Sequence, residues 1–403
     1  MLGRSSPHAA IIGCGLAGAA TAVALAKLGW RITVYESGDN PASGASALPV
    51  GMLSPHHTTQ PTPLSRLTAQ GLSVTRSHLQ TYLPDGHGWV ATSVENYERG
   101  DLHQPPVLQG VDLAHIIQPA CLIDAWLNHA RALTSLELCT QTPITRLHFD
   151  DVTRHWNLLS TTGAVLSAAS HVVVANAHAA PYLLETPALG LRPVAGQITL
   201  GPSQMGTDSP SRVTPKRLSG VYVPHFLTRA GAVWSVGATY RRGSDDLAVR
   251  ARDRAANHDL LASIAPEATG RWSAQAKENL LQDWVGVRCA SIDRMPLVGA
   301  LPFGVHAGID PSAARHQIPT APGLYGLLAL GSRGLSLAPL LGEVLAAKMS
   351  GQLSPLPLDL EKAIDPRRAL LQSARQALNT RQYPIYVNRH KCIRKISFGN
   401  KAA

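Results

Sequence analysis

Residues 9–36 read AAIIGCGLAGAATAVALAKLGWRITVYE, and the spacing of three glycines within that stretch decides the fold. The apolar residues 9–12 have the length and composition of a buried strand; Gly13, Gly15 and Gly18 follow, and an alanine-rich run predicts a helix to about residue 28. The first glycine permits a tight turn, the second lets the backbone approach a pyrophosphate, and the third lets helix and strand pack closely. An anion then meets a helix N-terminus, where unpaired amides and the helix dipole favour negative charge. Gly29 ends the helix, residues 31–35 predict a second strand, and Glu36 stands at its end, near the roughly 20-residue spacing of a ribose-binding acid. The stretch predicts a dinucleotide site; the plainer alternative is a βαβ unit whose glycine-rich turn binds nothing.

The chain has 403 residues, enough for a large core and two domains. With 45% hydrophobic and 15% charged residues it is a globular chain rather than a disordered one. Cysteines 14, 121, 139, 289 and 392 form no C-x-x-C pair and no metal spacing, so they are expected to be reduced thiols of a cytoplasmic protein. Arg4 and the alanine-rich run after it imitate a secretory leader, but cleavage there would delete the first strand and its glycines. No uninterrupted run of about 18 apolar residues predicts a membrane span. The net charge is +10, and residues 362–403 hold ten Lys/Arg against one acid, so almost all the excess lies in the last tenth of the chain. A basic tail with Tyr383, Tyr386 and Phe398 interleaved suits a polyanion such as RNA, or is a solvated tail without a partner.

Beyond Glu36 a loop of small residues carries Ser43, Gly44, Ser46 and Gly51. It suits an extended ligand lying against backbone amides, which the ribityl chain of a flavin requires and a nicotinamide cofactor does not. Residues 64–83 and 119–133 predict helices, 89–117 strands of a separate sheet, and 136–150 further strands. A hairpin is expected around Thr162 and Gly163, then a buried strand, 171–175, that rejoins the first sheet. From 191 to 284 the pattern is that of an antiparallel, substrate-covering domain interrupted by a charged helix, 246–264, whose Arg250, Arg252 and Arg254 form a solvated face or a binding site. Residues 286–299 turn the chain back, and 323–349 repeat strand, glycine turn and helix, a second helix N-terminus for partial negative charge. The expected division is 8–88, 119–190 and 285–350 for a nucleotide-binding domain, 89–118 and 191–284 for a substrate domain, and 351–403 for a basic extension.

On these residues the chain resembles the FAD-dependent amino-acid oxidases, the superfamily of glycine oxidase, sarcosine oxidase and D-amino-acid oxidase. The resemblance rests on the Gly13/Gly15/Gly18 turn with Glu36, the loop ending Gly51-Met52-Leu53, and the closing stretch from Gly331 to Pro339. It extends over about residues 9–367. GATYRRGSDD at 237–246, GVRCASIDRMPLVG at 286–299 and ALGSRGLSLAPLLGEVLAAKMSG at 329–351, with VVVANAH and PVAGQ, are most similar to the oxidase domain of the bifunctional tRNA 5-methylaminomethyl-2-thiouridine biosynthesis proteins. The resemblance implies an α/β fold, a Rossmann-like FAD-binding domain with a second antiparallel-sheet substrate domain. It implies FAD contacts from Gly13, Gly15, Leu16, Ala17, Gly18, Glu36, Ser37, Ser43, Gly44, Ser46, Gly51, Ile144, Ala175, Gly331, Ser332, Arg333, Gly334 and Leu335. The chain begins eight residues before its first strand, so the methyltransferase half of those proteins is expected to be absent, and any later methylation is expected to come from a separate protein or not to happen. Related oxidases carry a tyrosine three residues before the proline that is Pro224 here; this chain has Val221 there and Tyr222 one step along, which reverses its facing.

The implied substrate is 5-carboxymethylaminomethyl(-2-thio)uridine in a tRNA anticodon loop, whose side chain is an N-alkylated glycine. Hydride transfer from the glycyl methylene to the flavin, and hydrolysis of the imine, would yield aminomethyluridine and glyoxylate. Arg288 stands at the family's carboxylate-clamping position, with Asp293 and Pro296 at the family spacing; the alternative is a structural ion pair with Asp293 or another acid. Arg333 touches substrate or only bonds backbone, and Met52 lies by the flavin ring or is a core methionine. The histidines, His56 and His57 among them, are read as structural, and no metal site is expected. Lys216, Arg217, Arg241 and Arg242 are candidates for tRNA phosphates. Two competing readings are a small-molecule glycine, sarcosine or D-amino-acid oxidase, which has no use for the tail, and a non-catalytic RNA-binding flavoprotein.

Overall fold

The computed structural model describes residues 6–100, 104–203, 214–305 and 309–382. β1 (His8–Ile12), α1 (Leu16–Lys27) and β2 (Arg31–Tyr35) form the expected βαβ unit, the strands parallel from His8 opposite Arg31 to Ile12 opposite Tyr35. The loop after Glu36 closes with β3 (Gly51–Leu53), a strand where the sequence reads as loop. Three residues are too few for a periodic signal, and β3 exists because it pairs with a distant partner. α2 (Pro63–Tyr82) starts where Thr62 accepts the Ser65 amide and Pro63 occupies the first turn. β4 (Trp89–Glu98) and β5 (Val107–Ile117) form a long hairpin, and β3 lies against the outer edge of β5.

α3 (Pro119–Leu133) and β6 (Leu136–Cys139) return to the first sheet, followed by the three-stranded sheet of β7 (Arg146–Asp150), β8 (His155–Leu159) and β9 (Val165–Ala169). β10 (His171–Val174) inserts beside β1, in parallel. After the short helix α4 (Ala180–Leu183) come β11 (Arg192–Pro202), β12 (Lys216–Arg217), β13 (Val221–Thr228), β14 (Gly231–Gly237) and β15 (Arg241–Arg242). α5 (Ala251–Ile264) begins five residues later than the sequence predicts. The reason is Arg241, whose buried guanidinium takes the carbonyls of Asp246 and Ala248 that a longer helix would need. α6 (Thr269–Lys277) is not legible in the sequence, since Trp272 is its one buried residue. β16 (Gln282–Ala290) crosses the boundary expected at 285 and pairs along its whole length with β11. β17 (Leu297–Ala300), β18 (Leu324–Leu328) and α7 (Gly334–Met349) complete the first sheet and its cover, and α8 (Leu358–Ile364) and α9 (Arg367–Gln382) follow.

The first sheet has the order β17-β18-β10-β1-β2-β6 and the second runs β15-β11-β14-β13-β12-β4-β5-β3, with β16 also on β11. Strands such as HAAII and HVVV have no polar face because both faces are covered, as a parallel sheet requires. Ala9 and Ile11 face the core made with α1, α2, α3 and α7, while Ala10 and Ile12 face the core shared with Trp156, Leu158 and Leu370. The second sheet packs Tyr222, Trp234 and Val236 against α5 and α6, and turns Ile198, Leu200 and Val223 toward Met52 and Trp284 on its other face. The expected basic extension is in part a structural element, since Leu360, Ile364, Leu370 and Leu371 are buried. Tyr383, Tyr386, Phe398 and the cations from Arg389 onward lie outside the described residues.

Candidate active site

The first glycine turn is shaped around backbone. Gly13 has φ +100°, and a Cβ there would lie 2.7 Å from the Ala175 carbonyl oxygen. A Cβ on Gly18 would overlap the Gly13 carbonyl, so this glycine sets the close approach of α1 to β1. The Leu16 amide donates to Ser46 Oγ at 3.0 Å, while the amides of Ala17 and Gly18, in the first turn, have no helix carbonyl to reach. Glu36 is buried and already organised: Oε2 accepts the Cys14 amide at 2.8 Å, and Oε1 accepts Ser43 Oγ at 2.8 Å, the Gly38 amide at 2.9 Å and Ser37 Oγ at 3.2 Å. The Gly44 carbonyl accepts the Ala47 amide, closing the turn that presents Ser46. Ile144 sits in the core behind this end of the sheet, with Ile12 and Tyr35.

The second glycine turn meets the first. Gly331 has φ +55°, and Arg333 is the N-cap of α7. A Cβ on Gly334 would touch Leu16 at 3.0 Å and one on Gly51 would press on Leu335 at 2.8 Å, so the N-termini of α1 and α7 and strand β3 converge. α7 tolerates Pro339 for a traceable reason. Proline has no amide for the Leu335 carbonyl, and Thr75 Oγ1 of α2 donates to that carbonyl instead, at 2.7 Å. Gly71 admits α2 this closely, since a Cβ there would overlap the Ser336 carbonyl.

The third part lies on the second sheet. Gly196 and Gly286 are directly opposite on β11 and β16, and the absence of a Cβ at each lets a side chain lie across the backbone, the Trp284 ring over Gly286 and Arg288 over Gly196. A Cβ on Gly196 would overlap the Arg288 guanidinium, whose carbon is 4.7 Å from the centre of the Tyr240 ring. Arg288 Nη1 is 3.4 Å from the Thr239 carbonyl, and the side chain has no acidic partner among the described residues. Burial lowers its pKa and Tyr240 opposes that. Tyr240 in turn has its hydroxyl 3.5 Å from Ser332 Oγ, linking the surroundings of Arg288 to the turn before α7. Arg333 donates to His56 Nε2 at 3.3 Å, and its pKa is lowered by burial and by Arg294. Desolvation, then Arg333 and Arg217, lower the pKa of His56.

Several expectations are redirected. The Arg288–Asp293 ion pair does not form: Asp293 is held by Arg368 at 3.0 and 3.1 Å and by Gln372 at 2.8 Å. Burial would raise the Asp293 pKa, but the hydrogen bonds and charge of Arg368, with Gln372 and the Met295 amide, bring it to about 2. Met52 packs partly buried with Val50, Ile116 and Val223, so it is in contact with the second-sheet core. Three of the phosphate candidates are engaged: Arg241 pairs with Asp253 at 3.3 Å, Lys216 with Glu267 at 2.9 Å, and Arg217 with Asn96, Ser54 and Asp112. Arg242 is exposed. Arg254 is held by Asp283 and Arg250 by Asp246. In the tail, Arg367 pairs with Asp365. Tyr222 is buried beneath α5, whereas Val221 faces Met52. His57 pairs with Asp112, and His56 stands beside Arg333. Tyr240, against Arg288, is not among the residues the sequence singles out, although it stands directly before two arginines in GATYRR.

Among the described residues Cys14, Cys121, Cys139 and Cys289 are unpaired, and no group of three His, Cys, Asp or Glu is arranged for a metal. No described helix is long and apolar enough to cross a membrane.

The sequence pattern of the FAD dependent oxidoreductase family matches residues 8–348. The chain is 32% identical over 389 residues to the tRNA 5-methylaminomethyl-2-thiouridine biosynthesis bifunctional protein MnmC of Albidiferax ferrireducens, covering 89% of this chain and 58% of that protein. The protein of the same name from Aromatoleum aromaticum is 31% identical, over 91% of this chain and 61% of its own length. The chain thus spans about three fifths of these relatives. In fold it is similar to glycine oxidase from Geobacillus kaustophilus, with a TM-score of 0.66 at 19% identity, covering 88% of this chain and 97% of that one. Iminodiacetate oxidase from Chelativorans sp. gives 0.65 at 20% identity over 89% and 98% of the two chains. The residues present fit the cofactor of that family: a glycine cradle a Cβ would fill, two helix N-termini with unpaired amides, and a buried acid at the end of β2. The chain belongs to the FAD-dependent oxidoreductases, and its cofactor is FAD.

Proposed function

We propose that this enzyme oxidises 5-carboxymethylaminomethyl(-2-thio)uridine at the tRNA wobble position, releasing the carboxymethyl group as glyoxylate and leaving aminomethyluridine. The observation that carries the reading is Arg288, a half-buried arginine lying over Gly196, linked through Tyr240 to the turn before α7 and without an acidic partner among the described residues. The modified uridine ends in a carboxylate one carbon from its amine, and a planar guanidinium grips such a group through two parallel hydrogen bonds.

FAD, when bound, supplies the hydride acceptor. The amides of Ala17 and Gly18 and the α1 dipole suit its pyrophosphate, Glu36 its ribose, and the loop from Ser43 to Gly51 its extended chain. The unpaired amides of Gly334 and Leu335 suit the partial negative charge of its pyrimidine end. Arg288 holds the carboxylate and so fixes the adjacent methylene, and positioning of this kind replaces a strong base as the main source of rate. The tRNA assignment draws on the names of the relatives and on chemistry: a wobble base lies in a loop, unpaired, and is extruded at small cost. Arg242 and Arg294, exposed and without acidic partners among the described residues, suit the flanking phosphates. The primary amine left on the base is the acceptor that a methyltransferase would use next.

The test is anaerobic. The FAD-loaded protein is mixed with tRNA carrying carboxymethylaminomethyluridine, and the visible flavin absorbance is followed. Bleaching by this tRNA and not by unmodified tRNA or glycine is the expected result. Bleaching by glycine or sarcosine but not by the tRNA would return the chain to the small-molecule oxidases, and no bleaching by any of them would make it a binding protein.

A further inference from the structure

Tyr240 is an aromatic residue whose placement core packing does not explain. Its side chain is 54% exposed, yet its mount is rigid. On one side Thr239 is fixed to β11, its amide donating to the Gln197 carbonyl at 3.1 Å and its hydroxyl accepting the Gln197 amide at 3.1 Å. On the other side Arg241 is buried and tied to Asp253 and to the carbonyls of Asp246 and Ala248. One region of the ring is occupied by the Arg288 guanidinium, and the hydroxyl reaches toward Ser332.

Resting on the reading of the substrate as a modified uridine, we propose that Tyr240 is the residue that recognises the base. Its free face stacks on the uracil ring while Arg288, against the same ring, takes the carboxylate of the arm. An exposed aromatic held stiffly beside an anion-binding group is the arrangement that binds an unstacked nucleobase with little ordering cost. Tyr240 thereby separates a nucleoside bearing a glycine arm from free amino acids, which offer the carboxylate and no ring. The role adds specificity without taking part in the oxidation.

The test uses two ligands that lack an oxidisable amine, so that binding alone is read: 5-carboxymethyluridine, a base with a carboxylate, and acetate, the carboxylate without the base. Each is titrated into the FAD-loaded full chain, and the shift of the visible flavin band gives its Kd for wild type, Tyr240→Phe and Tyr240→Leu. Wild type and Tyr240→Phe are expected to bind the nucleoside at least about tenfold more tightly than acetate, the gain of one stacked base. In Tyr240→Leu that ratio is expected to fall to about one, with the Kd for acetate held within about twofold. Equal affinities in wild type overturn the proposal, as does an unchanged ratio in Tyr240→Leu. Parallel weakening of both ligands also overturns it, by showing that the ring acts only through Arg288. A protein that shows the expected ratios yet leaves modified tRNA unoxidised supports the platform while refuting the oxidation.

Discussion

Arg288 lies within the passage 286–299 and Arg368 docks onto it from α9, and the two are spent in opposite ways. Arg368, 7% exposed, makes five hydrogen bonds: two to Asp293 and one each to the carbonyls of Met295, Pro296 and Asp365. A guanidinium has five donor hydrogens, so it has none left for a ligand. Among the described residues Arg288 has a single long contact to the Thr239 carbonyl and a ring against it. The first arginine anchors α9 to the turn after β16. The second leaves most of its donors without a partner among the described residues, as the proposed grip on a carboxylate substrate requires. Charge alone does not distinguish them; the count of satisfied donors does.

The contrast breaks most visibly at Arg288. Arg288→Ala is expected to lower kcat/KM for modified tRNA by about 10³, the loss of two hydrogen bonds to a charged group. Its melting temperature should stay within about 2 °C of wild type. A fall in melting temperature matching the fall in activity would make Arg288 a second Arg368. The reverse is expected of Arg368→Met: a loss of about 3 kcal/mol in denaturant unfolding, because Asp293 is left without its cation, and unchanged flavin reduction in the folded fraction.

Acid sharpens the same comparison. Asp293 has its folded-state pKa brought from 3.8 to about 2. Its contribution is therefore complete above the unfolded pKa and is lost as pH falls through the folded one. Between about pH 4 and pH 2 wild type should lose about 2 kcal/mol that Arg368→Met, having already lost the pair, does not, as read by unfolding curves at each pH. The smallest effect is expected for Thr75→Val, which leaves both arginines alone and removes the donor to the Leu335 carbonyl. About 1 kcal/mol of stability should go, and flavin release, followed by fluorescence, should speed up because the α7 N-terminus is less firmly held.

The glycine turns, the strands around them and the helices 119–133 and 334–349 were legible because their causes are local. A glycine at positive φ, a proline in the first turn and an apolar run bounded by breakers act on near neighbours, and their pattern is the same in any chain that folds this way. The first glycine turn could be read for that reason down to the close approaches at Gly13 and Gly18 and the acid at the end of β2, Glu36. What each arginine does could not. Asp293 lies five residues from Arg288 and 75 from Arg368, yet the distant one takes it, because α9 carries Arg368 to the turn while β16 directs Arg288 over Gly196. The same holds for Arg241, buried on Asp253, and for Thr75, which answers a proline 264 residues away. By itself, the sequence determined the βαβ unit, the second glycine turn and the family to which they belong. Only the tertiary structure decided which cations are paired within the fold and which, like Arg288, have no acidic partner among the described residues, since an ion pair depends on the distance between charges in space and not on their separation along the chain.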